Sequence, residues 1–156
     1  MSKQSNSYKF VYFVISVFFL IVFNLYTSTY LSAISHDTIL FLPGLKLNYM
    51  ENTGAAFSIL QDYKIVLIIF AVTAIIGVFC YLVKNLKELT MMNVFMISLL
   101  LSGIACNLFE RIAFGFVRDY FELSFINFPV FNISDIFINV SVIVIMFMLF
   151  RNYSKK

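Results

Sequence analysis

The sequence predicts an all-α membrane protein: a four-transmembrane-helix bundle with a small extracytoplasmic sheet and a second outer loop. Of the 156 residues, 62% are hydrophobic and 12% are charged, roughly half the charged share of a typical soluble protein and too little polar surface to coat a soluble globule. The apolar residues also gather into four uncharged runs, Phe10 to Ser35, Ile65 to Val83, Leu89 to Phe109 and Ile136 to Phe150, and about 20 apolar residues suffice for a helix to cross a bilayer core. The charges, finally, segregate. Lys3, Lys9, Lys84, Lys87, Arg151, Lys155 and Lys156 flank the runs on one side, with Glu88 as their one acidic companion, whereas Asp37, Glu51, Asp62, Glu110, Asp119, Glu122 and Asp135 fall on the other. Because Lys- and Arg-rich short loops resist translocation, both termini are expected in the cytoplasm. The net charge of +3 reads as a topology signal and a mild attraction to anionic membrane lipids.

Taken in order, the spans are expected at about 10–32, 64–83, 90–112 and 132–150, within one integral-membrane domain covering 1–156. A removable signal peptide is the competing reading of the first span, with Ala33-Ile34-Ser35 as a passable cleavage pattern. Signal h-regions run roughly 7 to 15 residues, far shorter than this run, so the span is expected to stay. The first outer segment is patterned: Thr38 to Leu42 is strand-like, Pro43-Gly44 marks a turn, and Leu45, Leu47 and Tyr49 alternate with Lys46, Asn48 and Met50, which predicts a small sheet on the membrane surface. The link from Lys84 to Thr90 suits an antiparallel helix pair. Gly115 can end the third helix, and a second outer segment follows from Val117 to Phe131 with Pro129 inside it.

Composition sets aside several classes of function. There is no basic stripe for nucleic acid, no Gly-rich phosphate loop and no cysteine framework. Cys80 and Cys106 lie in different apolar runs, with one histidine in the whole chain, so no metal site is expected and both read as buried thiols. His36 reads as a solvated loop residue.

Ionisable groups at membrane depth are expensive and are functional candidates by default. Asp119 follows the third helix closely. The uncharged part of the fourth run, Ile136 to Phe150, has 15 residues and covers only about 22 Å at 1.5 Å per residue, so its helix must begin before Asp135 and carry that carboxylate into the outer leaflet. Two carboxylates in a shared site cannot both ionise cheaply, and a proton held between them lets one act as base and the other as acid towards water. The plainer alternative is structural: Asp135 as a cap at the positive end of the fourth helix, and Asp119 as a partner of Arg118. Gly103, Asn107 and Arg111 recur every four residues and so share one face of the third helix, with Glu110 beside them. They can line a site or form an interhelical polar seam.

Four segments together, Asn52-Thr53-Gly54-Ala55-Ala56-Phe57, Gly103-x3-Asn107-x3-Arg111, Val117-Arg118-Asp119 and Phe131-Asn132-Ile133-Ser134-Asp135, resemble the lipoprotein signal peptidase (signal peptidase II) family in content and order. The resemblance extends over nearly the whole chain. It implies a bacterial inner-membrane aspartic protease, without cofactor, that removes the signal peptide of prolipoproteins on the amino side of a diacylglyceryl-modified cysteine and binds globomycin-type inhibitors. It also implies catalytic roles for Asp119 and Asp135, supporting roles for Asn52, Asn107, Arg111 and Asn132, close packing at Gly54 and Gly103, and a β-cradle in the first outer segment. The chain departs from the family's usual pattern at four positions. Asn24 and Ser28 stand where an Asp and a Lys are usual, Glu110 where Asp is usual, and Ser134 where Ala is usual. Two rival classes are a non-catalytic relative or structural bundle, which would not need both aspartates, and a small transporter, for which four spans without an inverted repeat are thin material.

Overall fold

The computed structural model of the chain describes residues 3–35, 39–54, 61 and 63–153. His36, Asp37, Thr38, Asp62, the Ala55-Ala56-Phe57 part of the first motif, Lys155 and Lys156 lie outside the described residues. The elements run α1 (Lys3–Ile34), β1 (Ile39–Leu42), β2 (Leu45–Asn52), α2 (Lys64–Asn85), α3 (Met91–Ala113), β3 (Val117–Leu123) and α4 (Ile133–Tyr153). All four helices are long and apolar enough to cross a membrane. Each is uniform in hydrophobicity around most of its circumference, as a lipid-facing helix should be, and Phe18, Phe19, Phe70, Phe147 and Phe150 point outwards from three of them.

α3 is the exception and the organising element. Over half of its apolar window is buried inside the protein, against less than a fifth for each of the others. Its buried side includes Ser98, Ser102, Gly103 and Asn107, small or polar residues that allow helices to approach closely where lipid offers no hydrophobic drive between them. Gly103 is the closest approach. A Cβ there would lie 2.6 Å from the Ser134 carbonyl oxygen and 2.9 Å from Ile138 Cγ1 of α4, so only glycine lets α4 lie against this turn.

Local signals end the elements. Thr90 caps α3 reciprocally with Asn93, the arrangement that satisfies two orphan N–H groups at a helix start. α3 stops at Phe114, and Gly115 takes the left-handed φ of 93° that a helix C-terminus favours. At the other end of the bundle the buried Lys9 donates to the Leu86 and Lys87 carbonyl oxygens at 3.1 and 3.0 Å, just past the end of α2. Its ammonium thus satisfies carbonyls that the helix leaves free.

The sheet is three-stranded and antiparallel in the order β1-β2-β3. β1 and β2 turn at Gly44, φ 84°, as the Pro43-Gly44 signal predicts. β3 is the finding: part of the segment expected only as a second outer loop is a strand that pairs with β2. The sequence Val-Arg-Asp-Tyr-Phe-Glu-Leu lacks clean alternation because Val117, Asp119, Tyr120 and Phe121 are all buried. Tertiary cover on both faces erased the two-residue period. A register shift between Leu47 and Met50 inserts an extra residue into β2 opposite β3, a bulge that re-aims the strand end. Cys80 is exposed on α2 while Cys106 is buried, so the expectation of two buried thiols holds for Cys106 alone.

Candidate active site

Three backbone devices bring Asp119 and Asp135 into one cleft. Past its bulge, β2 places Met50 opposite Asp119 and Asn52 opposite Val117, so Asn52 and Asp119 are diagonal neighbours across the ladder. The chain beyond β3 then folds back, and Phe121 and Phe131 exchange N–H···O bonds of 2.8 and 3.0 Å. That bridge delivers Asn132 to the Asp119 strand at the point where α4 begins. Finally, Asn132 and Asp135 cap each other. The Asp135 N–H donates to Asn132 Oδ1 at 3.0 Å, and the Asn132 N–H donates to Asp135 Oδ2 at 3.1 Å.

Asn132 is therefore common to both carboxylates. Its amide nitrogen donates to Asp119 Oδ1 at 2.7 Å, while its backbone holds Asp135. Asn52 Nδ2 donates to the second Asp119 oxygen at 2.9 Å, and Asn107 Nδ2 donates to Asp135 Oδ1 at 3.0 Å. All four of these hydrogen bonds to the two carboxylates come from amides, side chain or backbone. Arg118 ignores the adjacent Asp119 and pairs with Glu110 at 2.6 Å. Ion pairing to Arg118 is thus excluded as the role of Asp119, whereas Asp135 does serve as a helix cap and lines the cleft as well. Asp119 is 2% exposed. Burial, and next the charge of Asp135, push its carboxyl up from 3.8 to about 7, against the pull of the Asn52 and Asn132 amides and of Arg111.

The supporting residues fall into place around this pair. Arg111 donates to the Gly54 carbonyl oxygen at 2.8 Å, using its fork on backbone. Gly54 returns its N–H to Asn52 Oδ1 at 2.9 Å, which orients the Asn52 amide so that nitrogen faces Asp119. Gly54 thus enters through its backbone N–H and carbonyl oxygen. Gly103, Asn107 and Arg111 do share a face: Gly103 and Asn107 both meet the first turns of α4, at Ser134 and Asp135, and Arg111 meets the segment after β2. The cleft encloses about 950 Å³ and is lined by polar residues, among them Asn52, Asp119 and Asp135, and by apolar ones, among them Phe128, Val130 and Ile138. Asn139, one turn into α4 from Asp135, also lines it. Sequence reasoning passed over Asn139, although a lone Asn inside an apolar run is a visible signal. Among the described residues no three His, Cys, Asp or Glu side chains are grouped as a metal would need.

The model of the family described as signal peptidase (SPase) II matches residues 14–151. This chain belongs to the signal peptidase II family. The family's peptidase character and its membrane location accord with the four apolar helices and the carboxylate-lined cleft. A lipoprotein signal peptidase of Streptococcus pneumoniae is 38% identical over 102 residues, covering 65% of this chain and 66% of that one. Another from Streptococcus thermophilus is 37% identical over 111 residues, covering 70% and 72%. In three dimensions this family member superposes on a bacterial membrane enzyme, solved by the in meso method, with a TM-score of 0.83 and 26% identity across 92% of this chain and 90% of that one.

Proposed function

We propose that this membrane peptidase is an aspartic endopeptidase that cleaves diacylglyceryl-modified prolipoproteins immediately before the lipidated cysteine, with Asp119 and Asp135 as its catalytic pair. The observation that carries the proposal is the buried Asn132, which binds both aspartates at once where they line a cleft of mixed polar and apolar residues. In the reaction a water between the carboxylates attacks the scissile carbonyl carbon as one carboxylate takes its proton and the other, protonated, donates to the carbonyl oxygen. Collapse of the tetrahedral intermediate breaks the C–N bond. The leaving nitrogen takes a proton from the pair and becomes the free amine of the lipidated cysteine. Two side-chain amides hold Asp119, and a side-chain amide and the Asn132 backbone N–H hold Asp135, so the carboxylates keep their spacing through neutral donors, with Arg111 acting on them from a distance. The apolar lining residues suit acyl chains, whose binding energy, remote from the scissile bond, can hold the carbonyl against the water.

The test is incubation of the purified chain with a diacylglyceryl-modified prolipoprotein, read by the mobility shift on loss of the signal peptide. Activity is expected to be insensitive to EDTA and to serine-directed reagents, and blocked by globomycin. An unshifted substrate, or one shifted only in the absence of EDTA, overturns the reading. The pH dependence has a defined sign. With Asp119 titrating at about 7 when folded and near 3.8 when not, the folded protein retains a proton that the unfolded chain has released. Stability from this group is complete below pH 3.8 and is lost as pH rises through about 7. Thermal midpoints should fall over that window, and Asp119→Asn should flatten the descent. Cleavage should weaken on the alkaline side of about pH 7 as the pair loses its shared proton.

The site is assigned to the outer face, with both termini in the cytoplasm, on the strength of the basic flanks of the spans. Reporter fusions after Lys156 and within 84–88 should signal cytoplasm, and one near Lys46 should signal the outside. A cytoplasmic signal at Lys46 rejects this orientation.

A further inference from the structure

On α1, Asn24, Ser28 and Ser32 recur every four residues, and all three are buried. None touches the cleft, yet each is bonded to a group beside the aspartates. Asn24 and Ser134 exchange hydrogen bonds of 3.0 and 3.3 Å, and Ser134 precedes Asp135. Ser28 Oγ donates to Glu110 Oε1 at 3.1 Å. Glu110 in turn accepts from the Arg118 backbone N–H at 2.8 Å and from its Nε and Nη2 at 3.0 and 2.6 Å, and Arg118 precedes Asp119. Ser32 Oγ accepts from Arg118 Nη1 at 3.5 Å. On the far side of Asp119, the fully buried Tyr120 has its hydroxyl in hydrogen-bond contact with Ser28 and accepts from the Ile133 N–H at the start of α4 at 3.2 Å.

We propose that Asn24 and Ser28 are positioning residues, which set the relative placement of the two aspartates by gripping the segments on which they are mounted. The inference rests on the aspartic-pair reading above. Asp119 comes from a strand and Asp135 from a helix start, and Asn132 joins them only within the cleft. α1 is the shared wall behind both. Buried, fully partnered polar networks fix the segments they join. The four positions at which the chain departs from the family's usual pattern are also the four that form these contacts, Asn24 with Ser134 and Ser28 with Glu110. Glu110 is one methylene longer than Asp, and Ser28 far shorter than Lys.

The experiment compares the full chain with Asn24→Ala/Ser28→Ala and with Ser28→Thr, which keeps the hydroxyl. It reads steady-state cleavage of a diacylglyceryl-modified prolipoprotein, the thermal midpoint, and the titration of 13C-labelled aspartate carboxylates. Loosening the wall by even about 1 Å should lower kcat by ten- to a hundredfold while KM changes by less than about twofold, and Ser28→Thr should restore most of kcat. The two titration steps of the pair should move in the Ala double variant and return in Ser28→Thr. An unchanged kcat, a loss expressed in KM alone, or a titration identical to that of the parent overturns the proposal. If the double variant fails to fold, Ser28→Ala and Ser134→Ala taken singly are read in the same way. Should the parent chain cleave no lipidated substrate, the functional reading falls, and the carboxylate titration still decides whether α1 positions the pair.

Discussion

Asp119→Asn or Asp135→Asn, each alone, is expected to reduce prolipoprotein cleavage to background, a loss on the order of a thousandfold or more. Asparagine preserves shape and can still accept one hydrogen bond, but it cannot take a proton from water or hand one to the scissile carbonyl. The network around each position sharpens the expectation. Asp119 accepts from Asn52 and Asn132 through its two oxygens, so in Asp119→Asn one amide must face another amide's N–H. Some local rearrangement follows, although no charge is left buried and unpaired, and the bundle should remain folded. The double variant should be scarcely worse than either single one, because residues that act as a unit are strongly non-additive. Retained globomycin binding separates a chemical defect from a collapsed site. Substantial cleavage by either folded single variant refutes the pair.

Gly103→Ala is expected to have the second-largest effect, although it touches neither aspartate. The added methyl would sit 2.6 Å from the backbone oxygen of Ser134 and 2.9 Å from Ile138 Cγ1, and a carbonyl at the start of a helix cannot swing aside as a flexible side chain can. α4 must shift away from α3. Overpacking of this kind costs about 1–3 kcal/mol, and a displacement of Asp135 by a fraction of an ångström to 1 Å should lower cleavage by up to about a hundredfold. Gly77 in α2 is the internal comparison, since a Cβ there meets nothing within 4 Å. Gly77→Ala should be neutral, or stabilising by up to about 1 kcal/mol through helix propensity. Thermal midpoints and cleavage rates that fall equally in the two variants would remove the close-approach argument.

The helices were legible because their cause is local and coarse. Uncharged runs long enough to cross a bilayer, the helix stop at Gly115 and the Pro43-Gly44 turn are properties of contiguous residues. The four-residue recurrence of Gly103, Asn107 and Arg111 fixed a shared face. It did not say that Gly103 and Asn107 would meet α4 while Arg111 meets the segment after β2, nor that Gly103 packs while Asn107 binds Asp135. β3 escaped notice because burial of Asp119, Tyr120 and Phe121 in succession removed the alternation by which a strand is recognised. Asn139 was passed over although its polar side chain stood in plain view.

By itself the sequence determined a four-span membrane protein, the two aspartates approaching one face, and, through motifs taken as a set, its family. These depend on composition, spacing and chain order, which need no knowledge of what lies across the fold. Only the tertiary structure decided which amide serves which carboxylate, that Arg118 pairs with Glu110 in preference to Asp119, and that Asn24 bonds Ser134 and Ser28 bonds Glu110. Those contacts join residues as many as 110 positions apart. Hydrogen bonds act over about 3 Å and demand direction, so which partners come within reach is set by how α1, the sheet and α4 pack around α3, information that no local stretch of the chain contains.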